Sequence, residues 1–199
     1  MLKGIFLFVF VCSITARANS QSVYTDSITK FQLTYKTNLY SIIKGDTAFV
    51  IFFSIDQSYR VIAAVEKVYG QSFFPMATSG NITKDAIKYA VLKFSLHQKE
   101  YTLFAYQLSS LMKSAEYKDD FFVPFTDSTS GSNSYGGGRY IDFVIGDISP
   151  DNKLVIDFNK SYNPYCAFRS GFNCPIPPKE NDLRAEIKAG EMNFSKSNH

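Results

Sequence analysis

The sequence predicts a mainly β protein: an antiparallel sheet rolled toward a small barrel or sandwich, with one N-terminal helix and a long ordered C-terminal loop. Three observations carry that expectation. Seven or eight short segments of strand character follow one another, with turn residues between them. Ahead of them, one stretch keeps helical spacing. Behind them, "SYNPYCAFRSGFNCPIPPKEN" (161–181) gathers two cysteines, four prolines and three asparagines with little strand or helix character. Loops of that length are uncommon unless they are functional or tied down.

The chain opens "MLKGIFLFVFVCSITARANSQ". Lys3, the apolar run from Gly4 to Ile14 and the small residues after it are the three regions of a secretory signal peptide. The run is too short to span a bilayer, which takes roughly 20 apolar residues. Cleavage after Ala18 or after Ser20 satisfies the small-residue rule, so residues 1–20 are expected as leader and 21–199 as one β-rich domain, secreted or periplasmic. Loss of Lys3 and Arg17 reduces 21 basic residues to 19 against 18 acidic, a net charge of +1 in place of +3. No basic stripe remains, which argues against nucleic acid as a partner. No second stretch is apolar enough for a membrane span, and a monomer is expected.

Export also removes Cys12, leaving Cys166 and Cys174 as a pair. An even count in an oxidising compartment favours a disulfide over a redox pair or metal ligands. Closing so short a loop would remove unfolded-state entropy worth about 2.5 kcal/mol. Metal chemistry lacks ligands: the two histidines are His97 and His199, and neither is near the cysteines in sequence. Neither a metal nor a cofactor is expected.

From Val23 to Ile43, Tyr24, Ile28, Phe31, Tyr35, Leu39 and Ile42 recur at gaps of three and four, the apolar face of a helix ending before Gly45. "AFVIFFSI" (48–55) is an apolar run of buried-strand length. "YRVIAAVEKV" (59–68) reads as a strand from its neighbours. In "KYAVLKFSL" (88–96), Ala90, Leu92, Phe94 and Leu96 share one face. The polar turn "HQKE" leads to "YTLFAYQL" (101–108), which makes the two runs a hairpin. "SSLMKSAEYKDD" is a connector with one helical turn. Further strands are expected at 121–125, 139–145, 153–158 and 185–189. "TDSTSGSNSYGGG" (126–138) reads as a mobile loop. Phe and Tyr make up 16% of the chain while Trp is absent, enough rings to fill a small barrel and line a pocket.

Candidate chemistry crowds into the last third. Alternation puts Arg139 on the face of Ile141, Phe143 and Ile145, so it points inward at a strand's end. A guanidinium there needs a carboxylate or an anionic ligand, because an unpaired buried charge is costly. Asp127, Asp142, Asp157, Glu180 and Glu191 are its candidate partners. Asp157 and Asn159 leave their strand on the other face, where such side chains organise turns. Prolines 175, 177 and 178 keep the 161–181 segment out of a central strand and give it a stiff extended path. The segment reads as a rigid strap whose Asn, Tyr and Glu groups either pin it or present a site. Arg139 with Tyr135, Asp142, Asp157, Asn159, Asn163, Glu180 and Asn181 forms the candidate ligand-binding set.

"PFTDSTSGSNSYGGGRYIDF", "LVIDFNKSYNPYCAF" and "CPIPPKENDLRAEIKAGE" resemble the signature of the domain of unknown function 1684 family, in its short, exported bacterial form. The resemblance is specific from Phe121 to Glu191 and continuous back to about Tyr24. The chain departs from the family pattern at "AFVIFFSI" and at Leu183-Arg184-Ala185. The resemblance implies a β-rich fold and carries no established activity.

Three functional readings follow. The first is a binding module whose aromatic interior and Arg139 end receive a small anionic ligand. The second is a carboxylate-dependent hydrolase, catalytic residues unassigned, drawing on Asp142, Asp157 or Glu180; a Ser–His–Asp arrangement is implausible with His97 in a turn and His199 at the tail. The third is an envelope interaction or structural protein. The first two need an enclosed pocket reaching Arg139, and the third an exposed apolar patch.

Overall fold

The computed structural model describes residues 5–194; Lys3 of the expected leader and His199 lie outside the described residues. Helix α1 (Ile5–Leu39) precedes eight strands, β1 (Arg60–Lys67), β2 (Phe74–Met76), β3 (Lys84–Leu96), β4 (Lys99–Leu108), β5 (Asp120–Asp127), β6 (Arg139–Val144), β7 (Lys153–Asp157) and β8 (Asp182–Leu183), with one turn of helix α2 (Ser109–Met112) between β4 and β5. The sheet runs β6-β5-β4-β3-β1-β7 and curls into a half-barrel, with β2 added to β3 and β8 to β5. All pairings are antiparallel except β5 with β8. The path does not close, because β6 and β7 are its two ends and do not pair with each other.

Alternation decides what fills the concave face. Ala90, Leu92, Phe94 and Leu96 of β3 all point into it, as the sequence pattern required, and meet Phe121, Val123 and Phe125 of β5 and Ile141 and Phe143 of β6. Buried rings therefore take up much of the space a ligand would need inside a barrel. A second cluster forms on the convex side, where Met76, Tyr106, Leu108, Phe122 and Tyr140 pack together. An antiparallel sheet commonly leaves that side to water. Here the strap covers it.

The β3–β4 hairpin is tighter than its polar tetrapeptide suggests. Leu96 pairs with Lys99, so the turn is His97-Gln98 alone, with φ of 49° and 65°. Two left-handed residues make a turn whose twist matches that of the strands. Three other expectations are corrected. Residues 48–55 form no strand: Thr47–Phe49 is a short 3-10 turn, and the rest runs extended along the C-terminal tail with one bridge, Phe52 to Glu191. An apolar run of that length specifies burial, not pairing. Residues 185–189 are irregular, and β8 lies just before them. β2, which the sequence reading did not include, extends the sheet beside the first half of β3.

The loop at 126–138 is folded over Asp127. The carboxylate of Asp127 accepts from Thr129 and Ser130, and Thr129 shares a further hydrogen bond with Ser134 at 2.8 Å. Thr129 and Ser134 are buried. Serine and glycine content marks a loop; here the hydroxyls serve as donors to a buried acid.

Gly190 fixes where the tail can lie. Its φ is +78°, and a methyl group there would fall 2.0 Å from Ser161 Oγ and 2.6 Å from the Phe158 carbonyl oxygen. Gly190→Ala should therefore lower the urea midpoint by the equivalent of about 1–3 kcal/mol. Gly146→Ala, which meets nothing within 4 Å, should stay within about 1 kcal/mol of wild type. Equal midpoints for the two variants would show that the tail shifts freely.

Candidate functional site

Arg139 is fully buried, on the inward face that alternation assigned it. Its Nη2 lies 3.3 Å from Asp127 Oδ1 and donates to the Ile187 carbonyl at 2.9 Å. Its Nη1 donates to the carbonyls of Ala189 at 2.5 Å and Glu191 at 3.2 Å. The rings of Phe125 and Phe53 stand 5.3 and 5.9 Å from the guanidinium carbon. Burial works against the charge, and Asp127 is the main counterweight. Of the five proposed carboxylate partners, Asp127 forms the ion pair and Glu191 contributes its backbone. Four of five guanidinium protons at most can be matched by these acceptors, and Nε has none.

Glu191 holds the next shell. Its Oε2 accepts from the Asn163 backbone at 2.7 Å and from the Tyr35 hydroxyl at 2.8 Å. Its Oε1 and the neighbouring Asn163 Oδ1 are both buried acceptors without a donor. Protonated, Oε1 would no longer be a buried carboxylate oxygen that lacks a donor. Burial, the largest effect, pushes this carboxyl from 4.5 up to about 8, against the hydrogen bonds and Arg139. A neutral Glu191 leaves Arg139 and Asp127 as a balanced pair.

Asn159, just ahead of the strap, and Asn163 and Asn181 within it are pins. Asn159 accepts from the Asp56 backbone at 3.0 Å and donates to the Asp56 carbonyl at 2.8 Å, while Asp157 accepts from the Asn159 backbone at 3.1 Å and from the Tyr24 hydroxyl at 3.1 Å. Asn163 donates to the Met192 carbonyl. Asn181 accepts from the Phe104 backbone at 2.8 Å and donates to the carbonyls of Phe104 at 2.8 Å and Pro124 at 2.6 Å. Strands β4 and β5 pair only at Tyr106 and Phe122, and Pro124 has no N–H to offer, so this amide stands in for a missing ladder partner. Glu180 is exposed and takes Lys88 at 2.9 Å together with the Tyr106 hydroxyl. Tyr135 belongs to the 126–138 loop, its ring lying where a side chain at Gly137 would be. Cys166 and Cys174 sit with Cα atoms 6.3 Å apart, at disulfide distance.

Asp142 differs from these. It is on the convex face of β6 and lines two adjoining cavities. One, of about 360 Å³, lies at the seam where the unpaired edges of β6 and β7 face each other, and includes Arg60, Asp157 and Lys160. The other, of about 840 Å³, is a groove bounded by α1, the convex ends of β4–β6 and the strap from Pro164 to Pro175. Phe31, Asp142 and Tyr162 line both, so the two form one continuous depression. Asp142 is exposed by area, yet it sits in a concavity where protein replaces much of its water. Burial accordingly raises its carboxyl, the Tyr162 hydroxyl at 2.5 Å opposes that, and the charge of Asp120 adds to it. Arg139 lines neither cavity.

The structure thus brings Asp142 and Asp157 to one depression, and uses Arg139, Asn159, Asn163 and Asn181 as internal ties. Sequence reasoning missed the groove's aromatic walls: Phe31 and Tyr35 of α1, Tyr140, Tyr162 and Tyr165. One signal was present, since alternation already placed Tyr140 on the outer face, where a large ring asks for cover. Among the described residues, no group of three or more His, Cys, Asp or Glu is arranged to hold a metal, and no helix is long and apolar enough to cross a membrane.

The fold defines a class: half-barrel sheets whose open seam is spanned by an N-terminal helix and an irregular C-terminal strap. Residues 48–192 match a family model described as protein of unknown function (DUF1684), and the chain belongs to that family. The solution NMR structure of an uncharacterized protein from Haloarcula marismortui is similar, with 29% identity and a TM-score of 0.65 over 88% of this chain and 98% of that one. No curated protein matches.

Removing Arg139 would leave Asp127 buried without its counter-ion. Arg139→Ala should cost about 3–5 kcal/mol by urea midpoint, and Arg139→Lys should restore only part, because an ammonium cannot reach both carbonyl and carboxylate in one plane. A midpoint within error of wild type would show the guanidinium to be dispensable. Glu191 makes a separate, pH-dependent prediction. Its folded pKa lies above the unfolded one, so the folded state binds the extra proton and stability falls as pH rises from about 4.5 to about 8. Glu191→Gln should remove that slope while keeping the Tyr35 contact. An unchanged slope in the variant would assign the titration to another group.

Proposed function

We propose that the protein is an exported small-ligand-binding module whose site is the groove between α1, the convex face of β4–β6 and the strap. The observation that carries this reading is the 840 Å³ depression itself, where aromatic rings converge on one carboxylate of raised pKa. Ligand sites are typically concave, mostly apolar and supplied with few, well-placed polar groups. Arg139, the expected anchor of a ligand, is spent on the fold. Residues 21–199 act as one domain in this reading. The ties from α1 to the sheet come from Tyr24 and Tyr35, C-terminal to either cleavage point, and the cysteine pair suits an oxidising compartment.

Native mass spectrometry of protein purified from its own host tests the site. Wild type should carry a small bound mass, and Leu111→Trp, which adds a ring at the groove wall, should lose it without a change in melting temperature. A protein that carries nothing, and that no compound in a broad screen stabilises, would sink the reading. N-terminal sequencing of the mature protein should begin at Asn19 or Gln21; a chain beginning at Met1 would overturn export.

A further inference from the structure

We propose that the groove selects a cation: a small molecule with an amine or guanidine head seated on Asp142 and an apolar body against the rings beside it. This rests on the groove being the ligand site, and it reverses the anionic ligand expected from Arg139.

The argument is an inventory of protons. The Tyr140 hydroxyl donates to the Pro175 carbonyl, the Tyr162 hydroxyl to Asp142 Oδ2, and the Tyr35 hydroxyl to Glu191 Oε2. Each tyrosine has one hydroxyl proton, and each of these three is already used within the protein. What these residues offer a ligand is ring surface and no free hydroxyl proton. Tyr162 stands edge-on to Tyr140 with centroids 5.9 Å apart, Tyr140 likewise to Phe122 at 5.6 Å, and Tyr35 meets Tyr162 at 5.7 Å. Ring faces carry negative potential and attract cations.

Fixed charge points the same way. Asp142 and Asp120 line the groove together. Tyr162 is the one hydrogen-bond donor to Asp142 among the described residues, which leaves acceptor capacity on that carboxylate. The cation lining the groove, Lys84, stands at the start of β3, three strands from β6, or roughly 14 Å at ordinary strand spacing. Beyond Asp142, the smaller cavity sets Arg60 and Lys160 against Asp147 and Asp157 and adds no net charge. An anionic head at Asp142 would meet like charge, and a neutral donor would make a weaker hydrogen bond to the carboxylate than a charged one.

Three probes of one shape separate the possibilities: 3-phenylpropylamine, 3-phenylpropan-1-ol and 3-phenylpropionate, each titrated into the full mature chain by calorimetry. The amine should bind about tenfold or more tighter than the alcohol, and the acid weakest. Asp142→Asn, which keeps an acceptor for Tyr162, should reduce the amine to the alcohol's affinity and leave the alcohol unchanged. Should that variant fail to fold, Asp120→Asn should weaken the amine selectively and by less. Equal affinities for amine and alcohol, preference for the acid, or an amine indifferent to both substitutions would overturn the cation and leave the groove standing. Failure of all three probes to bind would overturn the cation with its apolar body, and the groove reading would fall with it only if native mass spectrometry and the broad screen also found nothing.

Discussion

The architecture depends on one buried guanidinium. A sheet that curls but does not close leaves its last inward position, at the start of β6, in an apolar interior. Arg139 occupies it, and its protons must be met. Asp127 comes from the neighbouring strand. The remaining acceptors are carbonyls of residues 187, 189 and 191, so the C-terminal tail is threaded past the guanidinium in an irregular path that exposes alternate carbonyls to it. A regular strand there would have committed some of those carbonyls to a neighbour's ladder. Once threaded, the tail pairs in turn with Phe53 and Ile51 on one side and Ser161 and Asn133 on the other. Four segments that share no secondary structure are thereby held by one charge.

The strap solves a second problem by the same means. The convex face carries Tyr106, Phe122 and Tyr140, too much apolar area to leave in water. A helix could cover it, but prolines 164, 175, 177 and 178 preclude one, and the strap crosses as irregular chain. Irregular chain brings unpaired peptide groups, and so do the splayed strands β4 and β5. Side-chain amides of Asn159, Asn163 and Asn181 make up the deficit. The result is a cover rigid at its pins and lifted between them, where the groove lies. Helix α1 completes it. Tyr24, midway along, ties the helix to Asp157 at the end of β7, and Tyr35, near its C-terminal end, ties it to Glu191 of the tail. Phe31 between them roofs the seam.

Seen this way, fold and groove are not separate provisions. The polar residues that looked like a ligand set are largely what holds the groove open, while the groove's own surface is aromatic. A buried acid such as Glu191 fits the same economy, since a neutral carboxyl costs less to enclose than a carboxylate and still accepts two hydrogen bonds.

Legible in the amino-acid order alone were the class of fold, the inward face of β3 and β6, the helix before the sheet, the cysteine pair and the burial of Arg139. All but the cysteine pair follow from local periodicity, which is a property of neighbours along the chain; the pair follows from an even cysteine count. The amino-acid order also marked the 161–181 segment as one that is either tied down or functional. What it left undetermined was which groups do the tying and where an empty space remains. Asn181 bridging Phe104 and Pro124, the tail carbonyls on Arg139, and Tyr162 donating to Asp142 all join residues far apart in sequence whose side chains carry no periodic signature. The run at 48–55 failed as a strand for a related reason: its apolar character is satisfied by packing on the tail and on Arg139, and only the tertiary path decides whether such a run finds a strand or an irregular partner beside it.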